Sequence, residues 1–215
     1  SDGVTWSSQT SSVSNKLDNV AYGNGTYVVI GAGGILLTSP DGVTWATQNS
    51  GISTNLRGIK YAAGKFVAVG ADGVILTSPD AITWSPQTSG VSSGFGSVTY
   101  GNGLFVAAGT GGTIVTSPDA ITWTTRDSGI SNSLYSATYN GSVFVVVGEA
   151  GKITTSSDGI NWTPRTSGTN NNLRGVNNDG SNTIVAVGNS GTVVKSIDNG
   201  ANWTLVTSGI TETLL

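Results

Sequence analysis

Tryptophan occurs at residues 6, 45, 84, 123, 162 and 203 and nowhere else in the 215-residue chain. The intervals are 39, 39, 39, 39 and 41 residues. Spacing this regular in the largest side chain means stacked copies of one unit, each placing its Trp in an equivalent setting. The last interval is longer by Asn199, before Gly200, and by one residue in VNNDGSNT (176–183) against IKYAAGK (59–65). Both fall in expected turns, where a repeat absorbs length change most easily.

A 39-residue period exceeds one hairpin and suits four short strands with their turns. In the second unit, LRGIKYA (56–62), KFVAVG (65–70), GVILTS (73–78) and ITWSPQTS (82–89) read as strands A, B, C and D. Alternation and β-branched content support strands, and helical periodicity is absent. A G-x-x-G pair separates B from C in every unit (Gly31–Gly34, Gly70–Gly73, Gly109–Gly112, Gly148–Gly151, Gly188–Gly191). It is expected to supply the positive φ of tight hairpins.

Four antiparallel strands repeated around an axis make a β-propeller blade, with A innermost. The expectation is therefore an all-β, single-domain, five-bladed β-propeller over residues 1–215. Its units run 1–39, 40–78, 79–117, 118–156 and 157–197, with a half repeat at 198–215. Residues 4–10 read as a sixth D strand, a surplus N-terminal outer strand. It is expected either to latch the ring beside the last blade or to complete a blade on a neighbouring molecule, through homo-oligomer or strand exchange. Closure within the chain is favoured because it needs no partner.

Between C and D stands an acidic box: SPDGVTW (39–45), SPDAITW (78–84 and 117–123), SSDGINW (156–162), SIDNGANW (196–203) and a truncated SDGVTW at residues 1–6. An Asp here accepts hydrogen bonds from its own turn, and Trp fills the space between blades. Asp2, Trp6, Asp41, Trp45, Asp80, Trp84, Asp119, Trp123, Asp158, Trp162, Asp198 and Trp203 are thus structural candidates. Ala81 and Ala120, where other copies have Gly, suggest that this position need not be left-handed. The box resembles the Asp-box (bacterial neuraminidase repeat) pattern S-x-D-x-G-x-x-W, which SIDNGANW matches residue for residue. The resemblance covers all five units and implies a propeller whose boxes lie away from the binding face. The family includes sialidases, xyloglucanases, sortilin-like receptors and photosystem assembly factors, so it implies no single activity.

Chemistry is sparse. Cys, Met and His are absent, which removes disulfides, thiol nucleophiles, imidazole bases and Cys/His metal sites. Repetition of the boxes argues against catalysis by them. Outside the boxes stand Asp18, Asp72, Asp127, Asp179, Glu149 and Glu212, of which Asp72 and Glu149, at nearly equivalent hairpin positions, could share a rim as the carboxylate pair of a glycosidase. Arg126 and Arg165 repeat on outer strands and read as surface pairing, which leaves no sialidase-like arginine triad. The NNDGSN stretch (177–182) lacks the spacing of a calcium loop. The expectation is a non-enzyme without metal or cofactor.

A net charge of −3, with charged residues at 10%, offers no basic surface for nucleic acid, and no apolar run spans a membrane. A thiol-free, Thr/Asn-rich β protein suits an extracellular or surface-exposed setting, such as a larger bacterial or phage surface structure. Asn24, Asn140, Asn161 and Asn202 match glycosylation acceptors, the last two by chance within boxes. Recognition is expected where units differ. After the Leu/Phe that opens each A strand come Asp18, Arg57, Gly96, Tyr135 and Arg174. Asp18, Arg57, Tyr135 and Arg174 would give charge, stacking and hydrogen bonding at the channel mouth, for a carbohydrate or a protein surface. Tyr22, Tyr61, Tyr100 and Tyr139 repeat at one position and read as blade packing.

Overall fold

The computed structural model describes residues 4–215. Asp2, one of the expected box residues, lies outside them. The chain forms five four-stranded antiparallel sheets in sequential order, each with strands A, B, C and D side by side. The A strands are Leu17–Gly23, Leu56–Ala62, Phe95–Gly101, Leu134–Tyr139 and Leu173–Asn178. The D strands are Ala46–Gln48, Ser85–Gln87, Thr124–Arg126, Thr163–Arg165 and Thr204–Val206. Each D is three residues long, shorter than its sequence suggests, because the box turn runs through the Trp. Among the described residues no helix is long and apolar enough to cross a membrane. The five-bladed β-propeller expected from the repeat is the fold.

Blades pack through alternate residues of strands B and C. Val28, Ile30 and Leu36 of blade 1 meet Leu56, Ile59, Phe66 and Ala68 of blade 2. Val67, Val69 and Ile75 meet Phe95, Val98 and Phe105, and Val106, Ala108 and Ile114 meet Leu134, Phe144 and Val146. Val145, Val147 and Ile153 meet Leu173, Ile184 and Ala186. Strand B is almost wholly buried in the interior blades because both its faces are covered. Five blades thus share four apolar interfaces. Among the described residues no such cluster joins blade 5 to blade 1, and the closely packed pairs of A strands are those of consecutive blades.

The surplus outer strand is not formed: residues 4–10 carry no strand and belong to none of the five sheets. Trp6 is 86% exposed, whereas Trp84, Trp123, Trp162 and Trp203 join the inter-blade clusters.

The B–C connection also differs from the expected tight hairpin. It is a short 3-10 turn, and the first Gly of each pair is extended (Gly70 φ −164). That Gly is required by space, because a Cβ at Gly70 would stand 2.1 Å from the Asn55 carbonyl oxygen. Positive φ falls on the residue before the second Gly, and on that Gly itself (Asp72 φ 55, Gly73 φ 71).

Candidate functional site

The box is a fastener in its geometry. Asp119 Oδ1 accepts hydrogen bonds from the backbone N–H groups of Ile121 and Thr122, both at 2.8 Å, and from Ser117 Oγ at 2.9 Å. The same pattern surrounds Asp41, Asp80 and Asp158. In the last box the additional Asn199 sits at φ 59, and Asp198 reaches one residue further, to Asn202 N. The indole N–H of Trp84, Trp123, Trp162 and Trp203 donates to the carbonyl three residues back. These backbone donors hold the carboxyls of Asp119 and Asp198 at about 2, below the ordinary 3.8. An ionised carboxylate is what the turn binds. Ala81 and Ala120 do adopt left-handed backbone (φ 65 and 62), contrary to the expectation that this position need not. The bonded carboxylate over-determines the turn and holds them there.

A second fastener escaped the sequence reading. Buried Ser50, Ser89, Ser128 and Ser167 each donate Oγ–H to the carbonyl two residues on, tying the D-to-A connection. Its signal is the Ser-Gly pair five to six residues after every Trp except Trp6, where Ser11 is followed by Ser12.

Boxes and A–B turns occupy one end of the blades, while B–C turns and the start of each A strand occupy the other. At that second end every A strand has a register shift. Leu17 pairs with Gly31 and Asn19 with Ile30, which leaves Asp18 between them unpaired. The same shift leaves Arg57, Gly96, Tyr135 and Arg174 as the additional residue. A β-bulge frees one residue from the ladder and re-aims its side chain. Thus the positions at which the units differ are the bulged ones, in all five blades.

Successive bulges touch along the innermost row. Asn19 Nδ2 donates to the Arg57 carbonyl at 3.3 Å. A Cβ at Gly96 would stand 3.0 Å from the Tyr135 carbonyl oxygen. The Arg174 guanidinium lies 4.7 Å from the Tyr135 ring centroid, and its Nε donates to Asn189 Oδ1 at 3.0 Å. Ring and amide hold this cation half-buried, already oriented. Asp18 is neutralised locally by Lys16 and stands in blade 1, away from the Tyr135–Arg174 pair in blades 4 and 5. Arg57 is exposed. Asn189, which orients Arg174, was not singled out from the sequence. It occupies the other variable position, after the first Gly of the G-x-x-G pair.

The remaining candidates have local partners. Glu149 Oε2 accepts from the Ser133 N–H at 3.1 Å across the turn. Asp72 borders an apolar groove of about 510 Å³ lined by Ile52, Val74, Ile75 and Val91. Arg126 and Arg165 donate Nε–H to Thr116 and Thr155 on the adjacent C strand. Asp179 bonds to Ser181 within its own turn. Asn140, one of the glycosylation matches, is buried, with its amide on Ser181 O and Asn199 Oδ1.

No curated protein matches the chain. Among solved structures it is similar to YCF48 from Cyanidioschyzon merolae, at 18% identity and TM-score 0.71, over 97% of this chain and 77% of that one. A YCF48 bound to D1 peptide matches at 17% identity and TM-score 0.70, over 90% and 67%. The WD40 beta propeller domain of Doa1 matches at 13% identity and TM-score 0.71, over 90% and 68%. At these identities the likeness is one of fold. A family match covers residues 97–213, more than half of the sequence. With its repeated four-stranded blades, the chain belongs to the DUF6242 beta propeller domain family.

Proposed function

We propose that this propeller is a non-catalytic binding module that holds a peptide segment of another protein along the row of bulged residues. The observation that carries the reading is the Arg174 guanidinium, fixed between the Tyr135 ring and Asn189 at the mouth of the A strands. Arg57, exposed on the same row, supplies a second cation for acidic side chains or a terminal carboxylate. Two of the chain's four arginines are bulged residues, which in so weakly charged a chain concentrates positive charge at this rim. Support comes from a neighbour of like fold solved with a D1 peptide. The boxes are read as Asp-boxes with a structural role only. No catalytic role is assigned to Asp72 or Glu149. The setting is extracellular or surface-exposed, consistent with the thiol-free composition.

Binding of a panel of acidic peptides, measured by fluorescence anisotropy, tests this. Arg174→Ala should weaken the best binder by roughly tenfold or more, with thermal unfolding unchanged. No saturable peptide binding, or equal binding by the variant, contradicts it.

Repeated grooves favour carbohydrate as the second reading. Two of about 310 Å³ flank Lys152 and Arg165, beside the D-to-A connections, and suit shallow sugar sites. Calorimetry with simple glycans would then give several equivalent events per chain, and a single event or none would exclude it.

A further inference from the structure

The dipeptide Asn-Gly occurs four times, at residues 24–25, 102–103, 140–141 and 199–200. In such a pair the glycine nitrogen can attack the asparagine side-chain carbonyl, because Gly has no Cβ to hinder the approach. The fold treats the four copies differently. Asn102 and Gly103 form the two-residue turn between strands A and B of blade 3, closed by the pairing of Gly101 with Leu104. Asn102 is exposed, and a Cβ on Gly103 would meet nothing within 4 Å. Among the described residues no hydrogen bond engages the Asn102 side chain or the peptide group that joins it to Gly103. That peptide group is free to turn its nitrogen towards Cγ. Blade 3 is flanked by blades 2 and 4, so the exposure belongs to the turn itself. Asn24 and Gly25 repeat the turn in blade 1, at φ 48 and 74 against 46 and 76, and are likewise exposed.

The other two copies are held. Asn140 is 5% exposed. Its Nδ2 donates to Ser181 O at 2.6 Å and to Asn199 Oδ1 at 2.8 Å. Its Oδ1 accepts from the N–H groups of Ser142 at 3.0 Å and Val143 at 2.9 Å. These bonds use the full capacity of the amide and fix it in place. Asn199 is exposed, but its nucleophile is engaged: Gly200 is buried, and its N–H donates to Ser196 Oγ at 2.9 Å within the last box.

We propose that Asn102 and Asn24 are sites of slow self-modification, deamidation through a cyclic imide, and that the fold protects Asn140 and Asn199. The Gly103 nitrogen gives its proton to solvent and bonds to Asn102 Cγ. The Cγ–Nδ2 bond breaks, and ammonia leaves with a proton supplied by water. Water then opens the imide at either carbonyl, giving aspartate or isoaspartate. Nothing is oxidised or reduced. Each conversion replaces a neutral amide by a carboxylate in a chain whose net charge is −3, at the end of the blades that carries the boxes. The bulged row lies at the opposite end, so the modification leaves peptide binding untouched. Ala63 occupies the same turn of blade 2 at φ 49, so the turn forms without an asparagine.

Incubation of the native chain at mildly alkaline pH, followed by peptide mass mapping, tests the proposal. Asn102 and Asn24 should convert roughly tenfold faster or more than Asn140 and Asn199, which react only through opened states. In strong denaturant all four should convert at similar rates. Asn102→Ala combined with Asn24→Ala should abolish the acidic variants that build up on ion exchange, with a melting curve close to the parent's. Equal rates at the four sites of the native chain overturn the proposal. So does a native Asn102 that stays unchanged over the time in which the unfolded chain reacts, or an Asn140 or Asn199 that converts first.

Discussion

Asp119 shows how much a single side chain does in this molecule. Its carboxylate replaces a missing backbone partner for two N–H groups and fixes the left-handed Ala120 between strands. The folded state therefore favours the ionised form, and the carboxyl titrates at about 2 instead of 3.8. A depressed folded-state value contributes stability that is complete above the unfolded value and is lost as pH falls through the folded one. Melting temperature should accordingly hold down to about pH 4 and fall between pH 4 and 2. Asp119→Asn keeps one acceptor oxygen but no charge. It should melt lower than the parent at neutral pH and lose less on acidification; an unchanged acid slope would refute the assignment. Arg174 is the residue of equal weight at the opposite end, and its removal is predicted to affect binding and leave stability alone.

Among elements, the blade was the most legible. Trp spacing and the alternation of KFVAVG gave four strands and their order, because a periodic core must repeat its largest and its β-branched side chains in step. The variable residue after each opening Leu or Phe was legible too. That it is a bulge was not, since a one-residue shift against strand B leaves no compositional mark. Residues 4–10 misled for a related reason: VTWSSQT has the pattern of a D strand, but it forms no strand, because side-chain pattern alone does not make a segment pair. The G-x-x-G pairs misled on mechanism, because space and not φ selects the first Gly. Gly109→Ala would bring a Cβ to 2.1 Å from the Gly94 carbonyl oxygen at ordinary extended φ. Gly103→Ala, at φ 76 with open space around it, meets only the left-handed penalty of about 1–2 kcal/mol. Chemical denaturation should show the Gly109 variant losing clearly more, on the order of 3 kcal/mol or above. Equal losses would mean that close approach is not what selects that Gly.

At the scale of the molecule, stability is distributed as in other repeat proteins, as blade terms plus interface terms between neighbours. Among the described residues, blades 2, 3 and 4 have both faces covered by a neighbouring blade, and blades 1 and 5 have one. In dilute solution, amide hydrogen exchange should be fastest in Leu17–Gly23 among the A strands, and slowest in Phe95–Gly101, at the centre of the series. Uniform protection would indicate a fifth interface. The same arrangement places all five bulges in one row, with B–C turns beside it and boxes at the far end. The fold thereby separates its fasteners from the surface on which units differ.

The most direct test of that division is a titration of the isotope-labelled chain with its tightest-binding acidic peptide, followed by amide chemical shifts. Shifts should concentrate at Asp18, Arg57, Gly96, Tyr135, Arg174 and the adjoining B–C turns, and leave the box residues Asp41 to Trp45 and Asp119 to Trp123 unmoved. Shifts centred on the boxes or on the outer D strands, or none at saturating peptide, would contradict it.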